Sequence, residues 1–449
     1  MSPFLRTQAS GLKRFHGGVK PSHAKGTKNL SVVEMPIPKQ VIIPMGQHIG
    51  APCVPIVKPG DQVKKGQVIG TSEAFVSAPI HASTSGKVKA VGPFVGATGA
   101  RMTAVTIDCD GEDVWDETIT PPTVTCRDEF IAAIQQSGLV GLGGAGFPTH
   151  VKLRAPKDHP FEILVINAAE CEPYLTVDYR AMLDNTDNLL AGIAAVTKYL
   201  DIPRVVIGTE DNKKDAVTKL LQALRSEAGD AINADVEIMA LPSRYPQGAE
   251  KTLIYAATGR RVPAGGLPAN VGCVVMNVTS VAFVGDYLRT GHPLVAKNIT
   301  VDGDIIAHPQ NIRAVIGTPI KDIVEFCGGL TGEPSKILMG GPMMGLAISS
   351  LDQPILKNNN GLLFFSERMV NNGPETDCIR CGRCSQHCPM NLLPKRIMDT
   401  VKFQKYAALS ATGVMNCIEC GSCAYECPAH IPLVQYMKLS KDFIKKGKR

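Results

Sequence analysis

The opening stretch of the chain alternates short apolar runs with turns and shows no helical period. Val41-Ile-Ile-Pro44, Val54 to Val57, Val68-Ile69, Val88 to Val91 and Ala104 to Ile107 are separated by Gly and Pro, the pattern of a β-rich domain. From Asp128 the period changes. Phe130, Ile131, Ile134 and Leu139 suit one helix face, ending near Gly138 or Gly141. Alternating units follow: a strand over 161–166, a helix over 189–199, a strand over 204–208, a helix over 212–228, a strand over 236–240, a helix ending at Thr258 and a strand over 271–278. Residues 292–355 read as another small module, with a hairpin beginning near Ala296 and a helix over 320–327. Near the end, Lys395 to Ala408 is expected as one more helix.

Composition narrows the class. A chain of 449 residues has room for about three or four domains. Hydrophobic content of 44% with 20% charged residues is an ordinary globular balance. The net charge of +6 is mild, with basic residues gathered in the first 28 positions and in Lys445-Lys446-Gly447-Lys448-Arg449. Such a tail is a solvated end or one that lies near a membrane surface or an acidic partner. Aromatics at 5% and the lack of a basic stripe exclude a nucleic-acid role. Met1 to Ser31 lacks the apolar centre of a signal peptide. The longest uncharged stretch, Val262 to Gly285, carries Pro263, Pro268, Asn270 and Asn277 and would span a membrane poorly. The expectation is a soluble or peripheral protein in a reducing cytoplasm.

Fourteen cysteines then change the picture. Cys378-Ile-Arg-Cys381-Gly-Arg-Cys384-Ser-Gln-His-Cys388-Pro389 and Cys417-Ile-Glu-Cys420-Gly-Ser-Cys423-Ala-Tyr-Glu-Cys427-Pro428 both read C-x2-C-x2-C-x3-C-P. That is the spacing of two-cluster bacterial ferredoxins, in which each fourth cysteine ligates the other cluster. Three thiolates two residues apart grip three corners of one cube, and the fourth lies beyond that turn. The expected metal sets are Cys378, Cys381, Cys384 and Cys427 on one [4Fe–4S] cluster, and Cys417, Cys420, Cys423 and Cys388 on the other. Zinc takes pairs rather than triplets with a trailing Cys-Pro, and disulfides need an oxidising compartment. The protein is therefore expected to move single electrons. Cys53, Cys109, Cys126, Cys171, Cys273 and Cys327 show no ligand spacing and read as small, mostly buried side chains.

Upstream, Gly141-Leu-Gly143-Gly144-Ala-Gly146-Phe147-Pro148-Thr149-His150-Val-Lys152 places four glycines in six residues, which lets the backbone pass close to a ligand. It fits neither the GxGxxG nor the Walker A spacing. After the strand over 161–166 comes Asn167-Ala-Ala-Glu170-Cys171-Glu172-Pro173-Tyr174, two carboxylates and an amide at the end of a core strand. Such groups are costly unless they hold a ligand or cap the next helix, and both readings stand. Tyr245-Pro-Gln-Gly248-Ala-Glu250-Lys251 and Asn277 follow in order.

These phrases resemble the FMN- and NADH-binding 51-kilodalton subunit of respiratory complex I. The resemblance implies that the glycine loop and its Lys hold the flavin, and that the Asn and acidic residues line the flavin and nicotinamide sites. Carried over by motif, the cofactor-binding set is Gly141, Gly143, Gly144, Lys152, Asn167, Glu170, Glu172, Tyr245, Gly248, Glu250 and Asn277, with Phe147 stacking adenine or nicotinamide. Three positions depart from the family pattern. Leu142 stands for an Arg, Ala169 for an Asp and Ala249 for a Glu. Before this region, Val57-Lys-Pro-Gly60 to Val68 and Ala78-Pro79 to Val88 resemble the two hairpins of a lipoyl-type barrel-sandwich, without a Lys in the tip over 71–77. That implies a cofactor-free module. Lys336-Ile-Leu-Met339-Gly340-Gly341-Pro342-Met343-Met344-Gly345 belongs to a stretch that resembles a β-grasp (SLBB) domain.

The whole order, starting with Phe15-His16-Gly17-Gly18, resembles the C-type component of the Rnf electron-transport family. The expected fold is α+β multidomain. It comprises a β-rich barrel-sandwich N-terminal domain (1–125), an α/β flavin-binding domain (126–290), a β-grasp SLBB module (291–360) and a C-terminal two-cluster ferredoxin-type α-helical domain (361–449). The resemblance implies a ferredoxin:NAD+ oxidoreductase component with two [4Fe–4S] clusters, non-covalent FMN and NAD(H) as substrate. It also implies association with membrane-embedded subunits and a ferredoxin-like iron–sulfur subunit, peripherally at the cytoplasmic face of the membrane. Hydride transfer needs no general acid or base, so no catalytic residue is assigned. Two alternatives share the sequence features: a soluble flavin/iron–sulfur corrinoid reductase, and a flavin-free cluster relay or docking subunit.

Overall fold

The computed structural model describes residues 4–6, 13–155, 159–370 and 373–447. Lys448 and Arg449 of the basic tail, and Asn371 and Asn372 of the linker into the cluster domain, lie outside the described residues.

The central unit is a five-stranded parallel sheet in the order Phe4–Arg6, Asp235–Leu241, Arg204–Glu210, Ile163–Ala168 and Cys273–Asn277. Its inner strands are nearly continuous apolar runs because both faces are covered. Leu164, Ile166, Val205, Ile207, Val274 and Met276 face one core, beneath the helices Thr186–Leu200 and Val278–Thr290. The alternate residues Ile163, Val165, Val206, Cys273 and Val275 face the other, beneath the helix Glu250–Thr258. The period-2 division of side chains between two apolar cores fixes the register.

The barrel-sandwich pairs a four-stranded sheet (Gln40–Pro44, Arg101–Cys109, Gly86–Val95, Gln62–Val63) with a three-stranded one (Val54–Pro55, Val68–Thr71, Ile80–His81). Its first strand begins at Gln40, and two shorter strands upstream of it join other sheets. Phe4–Arg6 joins the central parallel sheet, and Val33–Glu34 joins the β-grasp sheet beside Gln310–Val315. At the other boundary, Gly361–Phe365 is a fully buried strand of the β-grasp sheet and not part of the cluster domain. The single helix expected over 395–408 is the helix Pro394–Lys402 followed by 3-10 turns, and the one over 212–228 divides into Lys214–Ala223 and Glu227–Asp230. No helix among the described residues is long and apolar enough to cross a membrane.

Two contacts, one of them buried, join the domains. The Lys357 ammonium, from the β-grasp module, donates to the carbonyl oxygens of Pro79 in the barrel-sandwich (2.8 Å) and Gly138 in the central domain (2.7 Å). Burial lowers its pKa to about 7. Trp115 stacks on His292 with ring centres 3.9 Å apart, which ties the joint after the barrel to the start of the β-grasp.

A third contact explains the Gly17-Gly18 pair. Gly18 N–H donates to the His387 carbonyl (2.9 Å), and Val19 and Tyr245 exchange backbone hydrogen bonds (2.8 and 2.9 Å). A Cβ on Gly17 would lie 2.7 Å from the backbone of His387, and one on Gly18 would lie 2.5 Å from the Tyr245 carbonyl. This strap is thus wedged between the parallel-sheet domain and the cluster domain, at a positive φ that only glycine adopts freely. Gly18→Ala should therefore lower the melting temperature well beyond Gly99→Ala. Gly99 has the same φ of +78° but open space around it. Scanning calorimetry of both variants checks this, and equal losses would mean that the strap contact carries no stability.

Candidate functional site

In an open parallel sheet, ligands bind beyond the carboxyl ends of the strands where the order reverses. Here the Ile163–Ala168 strand has Arg204–Glu210 on one side and Cys273–Asn277 on the other, so the reversal lies between Ile163–Ala168 and Cys273–Asn277. Asn167 and Asn277 stand in register there. The Asn277 side-chain oxygen accepts from Thr279 and Ser280 N–H (3.0 and 3.3 Å), capping the helix Val278–Thr290, while its amide nitrogen donates to Asp178 (2.8 Å). The Asn167 amide donates to the Gly248 carbonyl (2.8 Å).

The glycine loop crosses this point. Leu142 is buried where the family pattern has Arg. Its N–H donates to the Ser280 hydroxyl (3.2 Å), and its carbonyl accepts from Lys297 (3.2 Å). It anchors the loop to the core instead of offering a charge. A Cβ on Gly143 would lie 2.5 Å from the Asn277 amide nitrogen, so only glycine lets the backbone lie flush there, whereas Gly144 faces open space. Gly143 and Gly144 are exposed. Gly141 N–H donates to the Phe147 carbonyl (2.9 Å), closing the loop at its root with the Phe147 ring half-buried. Lys152 reaches back beneath, donating to the Val275 carbonyl (3.1 Å) and pairing with Glu250 (3.2 Å). Gly141, Gly143, Gly144, Phe147, Lys152, Asn167, Gly248, Glu250 and Asn277 are thus brought to one place. Exposed loop backbone beside one lysine and two amides fits a phosphate-bearing planar heterocycle such as FMN.

Glu170, Glu172 and Tyr245 differ from that expectation. The Glu170 carboxylate accepts from the N–H groups of Asp178 (2.6 Å) and Tyr179 (3.3 Å), so it caps the helix Val177–Asp184, the other role open to it from sequence. Burial pushes its pKa up to about 7. Glu172 accepts from Met343 N–H (3.0 Å) in the β-grasp module, and burial likewise raises it to about 7. The Tyr245 hydroxyl donates to the carbonyl of Cys420 (2.6 Å). The Glu172 and Tyr245 side chains bind the central domain to its neighbours, while that of Glu170 stays within it.

Two lysines with no motif around them hold the same loop. The Lys25 ammonium donates to the carbonyls of Glu170 (2.8 Å), Glu172 (2.8 Å) and Leu175 (2.6 Å). Lys213, buried against Glu210, donates to the carbonyl of Ala169 (2.7 Å). Lys25 lies 145 residues from Glu170 in sequence, and no local pattern signals such a contact.

The eight motif cysteines separate into two sets. Cys378, Cys381, Cys384 and Cys427 line a cavity of about 330 Å³, and Cys388, Cys417, Cys420 and Cys423 line a smaller one. Both motifs place a left-handed residue and a glycine at matching positions, Arg380 and Gly382 in one, Glu419 and Gly421 in the other. Among the described residues no three His, Cys, Asp or Glu side chains converge on a single-ion position. Four cysteines around each cavity, in triplets with a remote fourth, fit a cube better than one zinc. Burial pushes the Cys417 thiol up to about 11 and raises Cys388 and Cys423, so a thiolate there needs the positive charge of bound iron.

The two cavities are not equivalent in position. Cys420 packs with Val19, Tyr245, Cys171 and Met343 at the joint with the central domain, and the Gly17-Gly18 strap touches His387 and Cys388. The other cavity opens outward, with Cys381 exposed and Ile379 and Leu393 at its rim.

Family models match in the same order along the chain: an RnfC barrel sandwich hybrid domain over residues 13–112, a Nuo51 FMN-binding domain over 134–286, an SLBB domain over 298–347 and a 4Fe-4S dicluster domain over 369–428. The C-type component of the proton-translocating ferredoxin:NAD(+) oxidoreductase complex of Clostridium ljungdahlii is 46% identical over 86% of this chain and 84% of its own length. The Na(+)-translocating counterpart of Acetobacterium woodii is 42% identical over 95% of this chain and 96% of its own. The corresponding component of the ion-translocating oxidoreductase complex of Rhodobacter capsulatus is 40% identical over 98% and 85%. Among solved structures, an NAD+-reducing [NiFe]-hydrogenase in the H2-reduced state superposes with a TM-score of 0.51 at 21% identity, over 70% of this chain and 63% of that one, a likeness of fold. The chain belongs to the RnfC family, the C-type components of the Rnf ion-translocating ferredoxin:NAD(+) oxidoreductase complexes.

Proposed function

We propose that this chain is the NAD(H)-reacting, FMN- and iron–sulfur-containing electron-transfer subunit of such a complex. In this reading FMN lies on the glycine loop, and its electrons pass first to the cluster of Cys388, Cys417, Cys420 and Cys423. The observation that carries the order is the Tyr245 hydrogen bond to the Cys420 carbonyl, at the joint where the flavin-binding domain meets one cysteine set and not the other. Bound FMN supplies the exchange between a hydride and single electrons. The chain supplies position and field. Gly143 and Gly144 give the ring system an unobstructed backbone to lie against, and Asn167 and Asn277 offer amides held in fixed orientation. Lys152 provides a cation for the phosphate or the reduced ring, steadied by Glu250. Glu170, Glu172, Lys25 and Lys213 keep the 168–176 loop in shape from behind.

The cluster of Cys378, Cys381, Cys384 and Cys427 then faces a one-electron partner. Its rim combines exposed Ile379 and Leu393 with Arg380 and Arg396, the composition of a transient docking patch. The relatives are named as components of ion-translocating complexes, which favours membrane-embedded partner subunits; in this reading the chain is held peripherally at the cytoplasmic face. The presence of a Nuo51-type domain with an intact glycine loop favours this reading over a flavin-free relay.

Three outcomes test the assignment. NADH added anaerobically to the reconstituted protein should bleach the iron–sulfur absorbance. Lys152→Ala should weaken FMN binding about tenfold or more, the loss expected for a hydrogen bond to a charged group, with iron content unchanged. Flavin titration by fluorescence reads this directly, and unaltered affinity removes Lys152 from the site. Tyr245→Phe removes the bond to Cys420 while leaving both cofactor types in place. It should slow NADH-driven cluster bleaching several-fold in stopped flow without slowing flavin reduction.

A further inference from the structure

Phe75 is 62% exposed at the tip between the strands Val68–Thr71 and Ile80–His81, the tip that lacks the Lys of lipoyl-type domains. This tip is held firmly. Ala51 N–H donates to the Val76 carbonyl (3.0 Å), the Ser77 hydroxyl to the Ala51 carbonyl (3.0 Å) and Ala78 N–H to His48 Nε2 (3.1 Å). The adjoining residue Ile49, 50% exposed, donates its N–H to the carbonyl of Gly146 (3.2 Å), so the tip is bonded to the glycine loop itself. Arg154, two residues beyond Lys152, lies over the Phe75 ring at 5.5 Å. The Lys357 contacts to Pro79 and Gly138 prevent this domain from swinging away. An ordered aromatic and an aliphatic side chain left open to water beside a ligand loop mark a surface that a ligand covers.

We propose that Phe75, flanked by Ile49, forms the outer wall of the dinucleotide site and stacks the adenine of NAD(H). The inference rests on the flavin-site reading above. The hydride-exchanging end lies where Gly143 crosses Asn277. From there the loop runs on through exposed Gly144 to buried Gly146, where the barrel-sandwich segment that holds the tip is attached through Ile49. A dinucleotide with its nicotinamide at the inner end carries its other base toward Phe75. A purine stacks on a phenyl ring in an offset arrangement, and the Arg154 guanidinium adds a cation beside the ring and the pyrophosphate. Phe147, the stacking residue expected from the sequence, is half-buried at the root of the loop, and Phe75 is the more exposed ring. The barrel-sandwich thus contributes to substrate binding without carrying a cofactor.

The experiment uses the full chain loaded with FMN and both clusters, oxidising NADH with an artificial one-electron acceptor. Phe75→Ala should raise KM for NADH about tenfold, as loss of one base–aromatic stack does, with kcat within about twofold. Reduced nicotinamide mononucleotide, which has no adenine, should react equally with wild type and variant. Phe75→Trp keeps a stacking ring, so it should hold KM near wild type, and its added fluorescence should be quenched by ADP-ribose. An unchanged KM in Phe75→Ala overturns the proposal, and so does an equal loss with the mononucleotide. Failure of the wild-type protein to oxidise NADH overturns the flavin reading itself, a result visible before any variant is made.

Discussion

Electrons cross protein only over short spans, so a flavin and a cluster that exchange them must be held close and still. On the proposed electron path that requirement falls on the loop around Cys420. Tyr245 reaches it from the parallel-sheet domain, Met343 from the β-grasp module, and the Phe15–Val19 strap from the far end of the sequence lies alongside. Parts of the chain remote from one another in sequence converge on one cysteine loop, and each uses a group that tolerates little change. The strap has glycines where a Cβ would meet backbone, Tyr245 is a buried hydroxyl with a carbonyl partner, and Gly421 faces the Met343 carbonyl. Rigidity there is more useful than elsewhere because the rate of electron passage depends on it.

The same logic explains why the acidic loop after the Ile163–Ala168 strand is held from behind. Its carbonyls of Ala169, Glu170, Glu172 and Leu175 accept from two lysines, Lys25 and Lys213. Burial lowers the pKa of Lys25 and raises that of Glu170, each group desolvated and each the other's partial compensation. A loop whose backbone carbonyls are already held by the protein does not need the ligand to give it shape. That is preorganisation, and the proposed cofactor would meet a loop already in shape.

The parts of this molecule that were legible in sequence are those whose chemistry is local. The two cysteine runs fix their own turns, so the division of sulfurs into two cavities follows from spacing. The glycine loop and the apolar strand runs are local as well, and the parallel sheet and barrel strands lie close to where the hydrophobic pattern puts them. What the sequence hid depends on distant partners. That Glu170 caps the helix Val177–Asp184 and Glu172 accepts from Met343 could not be read from their own stretch. Tyr245 sits in a flavin-family motif, yet its hydroxyl is spent on the cluster loop. Lys25 has no motif at all. The first strands could not be placed because an edge strand of two or three residues carries too little pattern to say which sheet it joins. Leu142, a departure from the family pattern, is a core residue that anchors the loop.

The order flavin, inner cluster, outer cluster is the central claim. Rapid-freeze electron paramagnetic resonance after mixing with NADH tests it most directly, comparing a Cys378→Ala/Cys381→Ala variant with a Cys417→Ala/Cys420→Ala variant. Without the outer cluster, the inner signal should still appear at its normal rate. Without the inner one, the flavin should be reduced while the outer cluster stays oxidised, although dithionite reduces it and shows that it is assembled. Rapid reduction of the outer cluster by NADH in that second variant would contradict the account.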